Sequence, residues 1–476
     1  MKSIWQKNTS TEKRGELKED IRADAVIIGG GMCGILCAYY LKEAGANVVV
    51  LEADEICSGQ TGRSTAKITF QHGLLFNKLE QDLGKFKAQS YIELQKNALT
   101  RYEKLIKEKN IDCDYKKRLS CVYSLEDERK MIKEEKSAQE LGVDAYFSLD
   151  TELPFKVKGA VYVKNAAVFD PVKFAKRISE EIKIYENSPV TGVEGNTVYT
   201  KNACVKAKTV IFCCHYPFIN FPGMHFTKLY QNRSYAMALA GEYALGAAYI
   251  DESGEGLSLR DYPGGLILGG GAHRTGFPGG GFKTLEEARR EYFADFTEEA
   301  RWSAQDIITP DGLPYVGIYS LTTPGRLLAT GFNKWGMTGS MAAAAVICDM
   351  LIKGKSDFEE LLSPVRKNLK TVKRFFQMSA HAAKSIALRA FYLPKETADL
   401  LNKNEGRLIN VDGRKVGAYN DGKRIYLVSP KCPHLGCELH FNQNTLSWDC
   451  PCHGSRFSYT GELLEGPAQT NIKMQG

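Results

Sequence analysis

The sequence lacks any run of eighteen apolar residues, which is about the shortest run that crosses a bilayer as a helix. No transmembrane segment is therefore expected. The first twenty residues are polar and charged, unlike a secretory signal with its apolar centre, so a cytoplasmic location is expected. The net charge is also small, +7 over 476 residues, and gives no indication of nucleic-acid binding.

A disorder-promoting composition is missing as well. Hydrophobic residues make up 43% of the chain and charged residues 25%, the balance of a folded protein that can bury two or three cores. Histidine is scarce, at eight residues, and cysteine is absent from 216–347 and 349–431. Four of the thirteen cysteines fall in 432–452, and most of the others are expected to be buried, reduced thiols.

The C-terminal segment combines two short patterns, Cys432-x-His434 and Cys450-x-x-His453. Two thiolates on one iron and two imidazoles on the other are the ligands of a Rieske [2Fe-2S] cluster. The pattern therefore predicts such a cluster, with these four residues as its ligands. A four-ligand zinc site uses the same residue types, but it requires neither a second cysteine pair nor the glycine and serine that follow His453.

This segment resembles the Rieske proteins of respiratory and photosynthetic complexes. In that family the cysteines that match Cys437 and Cys452 form a disulfide, which holds the two cluster loops together. The resemblance implies the same bond here. Rieske centres transfer one electron at a time, so a role in electron transfer is expected.

The N-terminal part carries a glycine-rich turn between a strand pattern and a helix pattern. Residues 25–28 are an apolar run typical of a buried parallel strand, and 35–44 have the pattern of the following helix. Glu52 ends the next strand, at the spacing where a carboxylate binds a ribose hydroxyl. A dinucleotide site is predicted, with a tight turn and close backbone approach to the pyrophosphate permitted by Gly29, Gly31 and Gly34.

Three further segments decide between FAD and a nicotinamide dinucleotide. Residues 58–67, 309–314 and 331–339 resemble signatures of D-amino-acid-oxidase-type flavoproteins, a family that includes glycine oxidase, sarcosine oxidase and γ-glutamylputrescine oxidoreductase. The resemblance implies FAD as the cofactor. It also implies cofactor contacts from Thr61, Arg63, Ser64, Thr65, Ala66, Val190, Gly312, Lys334, Trp335, Gly336, Met337 and Thr338.

Some members of this family bind their flavin covalently, through a histidine or a cysteine. Arg63 stands where such a histidine would align. Between 216 and 431 Cys348 is the single cysteine, and it lies in an alanine-rich helical pattern expected to pack away from the ring. FAD is therefore expected to bind without a covalent link.

The predicted fold class is α/β plus all-β. A Rossmann-type FAD-binding domain contains an inserted α+β substrate domain, and a small Rieske β-sandwich domain follows. The expected boundaries are 1–75, 155–222 and 310–365 for the FAD-binding domain, 76–154 and 223–309 for the substrate domain, 366–404 for a basic helical linker, and 405–476 for the Rieske domain.

The linker region is basic and amphipathic, with eight Lys or Arg and no acid between 361 and 395. A helix of this kind can pack as a connector between two domains, which is the favoured interpretation. The alternatives are docking of an acidic electron acceptor and peripheral contact of residues 366–395 with an anionic membrane.

The substrate-site residues are the ones that the sequence determines least. Amine oxidation in this superfamily needs an aligned, deprotonated amine and no obligatory protein base, so no acid or base stands out. Candidates for catalytic residues are His72, His273 and Arg274. Further candidates for the open side of the flavin are His215, Tyr235 and Trp302.

These features predict an FAD-dependent oxidoreductase that oxidises a small amine or amino acid. Its electrons would pass singly through the cluster to a one-electron acceptor protein or a quinone. A dehydrogenase is expected rather than an oxidase, because an enzyme that uses oxygen directly needs no iron-sulfur outlet. The alternative is a non-catalytic flavin and iron-sulfur electron carrier or redox sensor.

Two other classes are disfavoured. A Rieske oxygenase needs a mononuclear iron held by two histidines and a carboxylate, and no histidine pair outside the cluster motif has the short spacing typical of that site. A ferredoxin-type reductase needs a nicotinamide site. Residues 266–274 imitate a dinucleotide turn, but the glycines and proline of 276–281 prevent the required helix.

Overall fold

The computed structural model describes residues 1–10, 12–366, 393–394 and 401–474. Most of the predicted linker 366–404, with the proposed membrane contact at 366–395, lies outside the described residues. Within them, no helix combines the length and the apolar character that a membrane crossing requires.

The described helices are short except for two. They are α1 (Ile4–Asn8), α2 (Met32–Glu43), α3 (Gln60–Arg63), α4 (Phe76–Leu83), α5 (Lys85–Glu108), α6 (Glu128–Glu140), α7 (Pro171–Ser179), α8 (Gly281–Tyr292), α9 (Gly336–Ile352) and α10 (Glu359–Leu362).

The strands of the first two thirds of the chain are β1 (Ile21–Ile28), β2 (Val48–Leu51), β3 (Lys67–Ile68), β4 (Lys116–Ser124), β5 (Ala145–Ser148), β6 (Gly159–Val168), β7 (Lys183–Tyr185), β8 (Gly192–Glu194), β9 (Thr197–Tyr199), β10 (Cys204–Phe212), β11 (Tyr230–Ala240), β12 (Ala247–Asp251), β13 (Ser258–Tyr262), β14 (Gly265–Arg274), β15 (Thr297–Ile308), β16 (Tyr315–Ile318) and β17 (Arg326–Thr330). The C-terminal strands are β18 (Glu405–Val411), β19 (Arg414–Asn420), β20 (Ile425–Val428), β21 (His440–Asn442), β22 (Ser447–Asp449), β23 (Arg456–Ser458) and β24 (Leu463–Glu465).

The first sheet has the strand order β16-β17-β10-β1-β2-β7, and the β8-β9 hairpin extends it from β10. Strands β17, β10, β1, β2 and β7 run parallel. The apolar run at the end of β1 is buried, as expected of a parallel strand covered on both faces. Helices α2 and α9 pack against each other, and small residues such as Ala343 and Ala344 permit their close approach.

The second sheet has the order β15-β11-β14-β13-β12-β4-β6-β3, with β5 paired to β6. Its pairs are antiparallel except for β12 with β4. Strands β3 and β6 fall within the segments expected to form the FAD-binding domain, but they pair in this second sheet instead. Domain boundaries predicted from consecutive segments do not show this pairing, because β3 and β6 are about a hundred residues apart in the sequence.

The C-terminal part contains two small antiparallel sheets, β18-β19-β20 and β21-β22-β23-β24. Trp448 and Phe457 are fully buried, and with the cysteines of the cluster motif they form the core of this part. The two segments of the motif, 432–437 and 450–455, lie in the loops on either side of β21 and β22.

Candidate active site and metal centre

A cavity of about 1100 Å³ opens at the carboxyl ends of β1 and β2. This edge of a parallel sheet is where dinucleotide-binding folds hold their ligand. The cavity continues along the second sheet, and residues 463–469 of the C-terminal part complete its wall. Three parts of the chain that are distant in sequence therefore enclose one space.

The glycine-rich turn lines this cavity with backbone rather than side chains. Gly29 has a φ of +111°, and a Cβ there would lie 2.6 Å from the carbonyl oxygen of Cys213. A Cβ on Gly34 would lie 2.0 Å from the carbonyl oxygen of Gly29. Gly31 precedes the first residue of α2 and offers no side chain to cap it, and the first N–H of the helix, that of Met32, donates to the hydroxyl of Thr61 at 2.8 Å. A helix start of this kind attracts a pyrophosphate.

Glu52 lies at the end of β2 and also lines the cavity. Its carboxylate accepts hydrogen bonds from the backbone N–H of Gly30, at 2.6 Å, and of Asp54, at 3.0 Å. Burial raises the pKa of Glu52, and these N–H groups oppose the shift. The bonds hold the carboxylate beside the turn, where it can meet a ribose hydroxyl.

Most of the residues expected to contact FAD line the cavity. These are Gly29, Gly31, Glu52, Thr61, Arg63, Ser64, Thr65, Val190, Lys334, Trp335, Gly336 and Met337. Gly34, Ala66, Gly312 and Thr338 do not line it. Gly34 packs beneath the turn, and the Thr338 hydroxyl donates to the carbonyl oxygen of Thr69, 2.8 Å away.

His72 lines the cavity, in a stack on Trp335 with ring centroids 4.8 Å apart. Its Nε2 lies 2.9 Å from the carbonyl oxygen of Thr69. Burial lowers the pKa of His72 to about 3, so the imidazole is neutral at pH 7. A neutral imidazole fixed in this way can orient a bound molecule but adds no charge.

These features fit FAD. The cavity is large, a glycine turn and a helix start face it, and a carboxylate stands at the ribose position of the dinucleotide fold. Trp335 to Met337, at the start of α9, provide a second set of backbone groups. Residues 335–337 are among those that the family resemblance predicted to contact FAD.

The cluster motif forms the second centre. His434 and His453 lie with ring centroids 4.9 Å apart, and the Nδ1 atom of each is buried without a hydrogen-bond partner among the described residues. Two unpaired buried nitrogens side by side are costly unless a ligand binds them. Burial lowers the pKa of both imidazoles, so they are in the neutral form that coordinates metal.

The thiols of Cys432 and Cys450, which belong to the same two loops as these histidines, interact with each other. Backbone N–H groups from the same two loops, and the hydroxyl of Ser455, are directed at them. Cys437 and Cys452 form a disulfide that joins the loops, as the resemblance implied. Two thiols, two free imidazole nitrogens and surrounding donors fit a [2Fe-2S] cluster of the Rieske type.

His273 and Arg274, predicted as catalytic residues, do not line the cavity. His273 bonds to the hydroxyl of Tyr235, which itself faces the cavity. Arg274 stacks over Tyr230 and Phe277 and acts electrostatically on His453. Both residues therefore lie near the contact with the C-terminal part, a position that the pattern of β14 alone does not reveal.

Two glutamines connect the cavity wall with the cluster loops. The side-chain amide of Gln305 donates to the carbonyl oxygen of Gly454, at 2.9 Å, and to Oε1 of Gln231, at 2.8 Å. Gln231 in turn donates to the carbonyl oxygen of His453, at 2.7 Å. Gln305 lines the cavity, so its side chain alone separates the cavity from the loop that carries His453.

The histidine side of the cluster motif faces the flavoprotein part of the same chain. Nε2 of His434 lies 2.9 Å from Oδ1 of Asn220. Phe226 packs edge-on against both imidazoles, with ring centroids 6.1 Å from His434 and 5.8 Å from His453. The edge of a cluster bound at these histidines therefore points towards the flavoprotein part.

Glu465, from β24, reaches into the cavity wall and forms an ion pair with Arg63. Its other carboxylate oxygen lies 3.4 Å from the guanidinium groups of Arg233 and Arg456. The ion pair with Arg63 links a residue of the C-terminal part directly to one expected to contact FAD. Neither Glu465 nor the two bridging glutamines carries a recognisable sequence signal, because each acts through a contact between distant segments.

The sheet order, the glycine turn and the cavity define a flavin-dependent oxidoreductase, and the two-cysteine, two-histidine loops define a Rieske-type electron carrier. Comparison with known proteins agrees. The family model for FAD dependent oxidoreductases (DAO) matches residues 24–350, and that for the Rieske [2Fe-2S] domain matches residues 391–475. The chain belongs to the FAD dependent oxidoreductase family and carries a C-terminal Rieske domain.

The relatives support this assignment. YhfW of Bacillus subtilis, whose name describes a Rieske 2Fe-2S iron-sulfur protein, is 32% identical over 494 residues, which cover 99% of this chain and 97% of that protein. γ-Glutamylputrescine oxidoreductase of Escherichia coli is 27% identical over 213 residues, 41% of this chain and 49% of that protein. The fold is similar to glycine oxidase from Geobacillus kaustophilus, with a TM-score of 0.62 and 16% identity over 73% of this chain and 99% of that one.

The family implies FAD, and the Rieske domain implies a [2Fe-2S] cluster. The protein is therefore an oxidoreductase with two redox centres, and it requires a small-molecule substrate and an electron-transfer partner. The predicted family, fold class and cofactors are confirmed.

Proposed function

We propose that this protein oxidises a small amine or amino acid at non-covalently bound FAD and delivers the electrons singly, through the Rieske cluster, to a one-electron acceptor protein or quinone. FAD accepts two electrons from a substrate, and a [2Fe-2S] cluster carries one at a time. The proposed ligands are Cys432 and Cys450 on one iron and His434 and His453 on the other. The substrate class is supported by relatives named for glycine, γ-glutamylputrescine and L-proline.

The contact between the cavity wall and the cluster loop carries this proposal. Gln305 forms part of the wall and donates to Gly454, the residue after His453. Gly454 has a φ of +81°, and a Cβ there would lie 2.8 Å from the side chain of Gln231. The loop can therefore approach the wall this closely because the position is glycine. An electron that leaves the cavity towards the cluster crosses one buried, hydrogen-bonded layer.

The size of the cavity supports an enzyme over a simple carrier. About 1100 Å³ is above the range of roughly 300–1,000 Å³ typical of small-molecule sites, which allows for a substrate beside the cofactor. Tyr235 and Asp306, which belong to strands of the second sheet, also form part of the cavity wall. Both are far in sequence from the dinucleotide turn. A protein that only relays electrons has no need of this additional space.

A [2Fe-2S] cluster that takes electrons from the flavin favours a dehydrogenase over an oxidase. If the physiological acceptor receives electrons from the cluster, turnover with a one-electron dye should exceed turnover with oxygen. Fast reaction with air that persists after loss of the cluster would contradict this preference.

The substrate proposal is tested by anaerobic titration with a panel of amines and amino acids. A substrate should bleach the flavin absorbance and then produce the EPR signal of the reduced Rieske cluster. Alcohols and hydroxy acids of the same carbon skeletons serve as controls. Bleaching by these compounds alone, with no response to any amine, would exclude oxidation at a CH–NH group.

The route is tested by Gln231→Leu, which keeps the approximate size of the side chain and removes its three hydrogen bonds, with His453, Gly466 and Gln305. We expect flavin bleaching at an unchanged rate and cluster reduction slowed by roughly tenfold or more, because weaker packing between wall and loop reduces electronic coupling. Stopped-flow absorbance and freeze-quench EPR measure the two steps. Gln443→Leu, an exposed glutamine of the C-terminal part, is the matched control. Equal cluster reduction in both variants would exclude this contact as the route.

A further inference from the structure

Three cysteines that are not among the residues proposed to hold FAD or the [2Fe-2S] cluster meet beneath the dinucleotide turn. The sulfur atoms of Cys33, Cys37 and Cys213 all lie within 4.8 Å of one another, and all three residues are buried as free thiols. Cys33 and Cys37 are one helical turn apart on α2, and Cys213 follows the last residue of β10. Two secondary-structure elements therefore fix the positions of the three sulfurs.

The backbone around these three cysteines is closely packed. The N–H of Cys213 donates to the carbonyl oxygen of Ile28, at 2.9 Å. The carbonyl oxygen of Cys213 lies 2.6 Å from the position that a Cβ on Gly29 would take. Cys33 is the second residue of α2, directly after the glycine-rich turn. The thiols are thus held together by the same contacts that shape the turn.

Access to the thiols is from the cavity. Cys33 and Cys213 line it, whereas Cys37 lies behind them. The thiols of Cys213 and Cys37 act on Cys33 by hydrogen bonding and lower its pKa below the ordinary value of a cysteine. Cys33 is therefore the most readily deprotonated of the three, because the pKa values of Cys37 and Cys213 are raised, and a small molecule in the cavity can meet Cys33 and Cys213.

Three sulfurs at this separation suit a soft ion with three ligands. A metal–thiolate bond is about 2.3 Å, so two sulfurs on one ion are at most about 4.6 Å apart, and small side-chain rotations bring these three within that limit. Four-coordinate zinc is a poorer fit, because no fourth histidine, cysteine or carboxylate joins the group among the described residues.

The net charge of the three-thiolate complex distinguishes between the possible soft ions. The three cysteines lie in the main apolar core, where an uncompensated charge is costly. Three thiolates give a charge of −2 with a monovalent ion and −1 with a divalent ion, but a neutral complex with a trivalent ion. A neutral complex is the one that this surrounding tolerates.

We propose that Cys33, Cys37 and Cys213 form a binding site for a soft trivalent ion of the arsenic(III) class. The reaction is As(OH)₃ + 3 Cys-SH → As(S-Cys)₃ + 3 H₂O. Three As–O bonds break, three As–S bonds form, and the three thiol protons leave in water. No electron is transferred, so no oxidant or reductant is needed.

The test uses the full chain with both cofactors and arsenite as the probe. After gel filtration, the wild type should retain one arsenic per chain, and X-ray absorption should show three sulfur neighbours. Cys33→Ser and Cys37→Ser should each weaken arsenite binding by about tenfold or more, because each removes one of three metal–ligand bonds. An unchanged [2Fe-2S] EPR signal and an unchanged far-UV circular dichroism spectrum will show that both variants are folded, and Cys37→Ser, which does not line the cavity, should also keep the wild-type flavin spectrum.

Cys121→Ser is the matched control, since Cys121 is equally buried but lies in the second sheet. It should bind arsenite like the wild type. Equal binding by the Cys33, Cys37 and Cys121 variants would overturn the site. Two sulfur neighbours instead of three would overturn the three-thiol assignment.

Discussion

Replacing His434 with alanine should abolish the Rieske EPR signal and lower turnover with a one-electron dye by roughly 100-fold, while amine substrates still bleach the flavin. The reason is that the proposed cluster loses one of its two imidazole ligands, but no residue of the glycine turn or of the Trp335–Met337 segment changes. Anaerobic absorbance, EPR and steady-state dye reduction measure the three quantities.

His440→Ala is the matched control. Like His434, His440 contacts the flavoprotein part through one ring nitrogen, in its case with the carbonyl oxygen of Gly276. It is not one of the proposed ligands, so its loss should leave the EPR signal and the dye turnover within about twofold of the wild type. A persistent EPR signal in His434→Ala would refute the ligand assignment. Undiminished dye turnover without the signal would show that electrons leave by another route.

Replacing Glu465 with glutamine should lower the free energy of unfolding by about 3–5 kcal/mol, because it leaves buried arginines without their shared counter-ion. Arg233 is fully buried, and Glu465 is only 12% exposed. Glutamine keeps the shape of the side chain, so the loss reports the charge. Urea denaturation followed by tryptophan fluorescence and by flavin release measures the change.

The pH dependence follows from the same contacts. Burial alone raises the pKa of Glu465, but Arg456, Arg63 and Arg233 outweigh it and lower the pKa to about 2, below the ordinary value of 4.5. A carboxyl with a depressed pKa stabilises the fold above its ordinary pKa, and this contribution disappears as the pH falls through its folded pKa. The difference in stability between wild type and Glu465→Gln should therefore shrink from pH 4.5 towards pH 2.

Glu462→Gln is the control for this prediction. Glu462 pairs with Lys473 on the surface, where both side chains are at least half exposed. Its loss should change the free energy of unfolding by less than about 1 kcal/mol. If Glu465→Gln is no more destabilising than Glu462→Gln, the carboxylate does not hold the two parts together.

The local patterns predicted both cofactors correctly. Gly29, Gly31 and Glu52 lie together at the end of a parallel sheet, as their spacing indicated. The cysteines and histidines of the cluster motif converge in two adjoining loops. In each case the required chemistry depends on residue type and short spacing, which are properties of a continuous segment.

Local patterns carry less information about the substrate side. His72 lines the cavity, but His273 and Arg274 do not, although all three have polar side chains. Their positions depend on the pairing of β14 with β11 and β13 and on the approach of the C-terminal part. A polar residue in a strand has no local feature that distinguishes a cavity wall from an interface.

By itself, the sequence determined the family, the two cofactors and the residues proposed to hold them, because glycine turns and cysteine-histidine loops are built from neighbouring residues. Tertiary structure decided how the two centres meet. Gln231 and His453 are 222 positions apart, and Arg63 and Glu465 are 402 apart, yet each pair is in direct contact. Such contacts arise from the packing of distant surfaces, which leaves no periodicity or spacing in the chain.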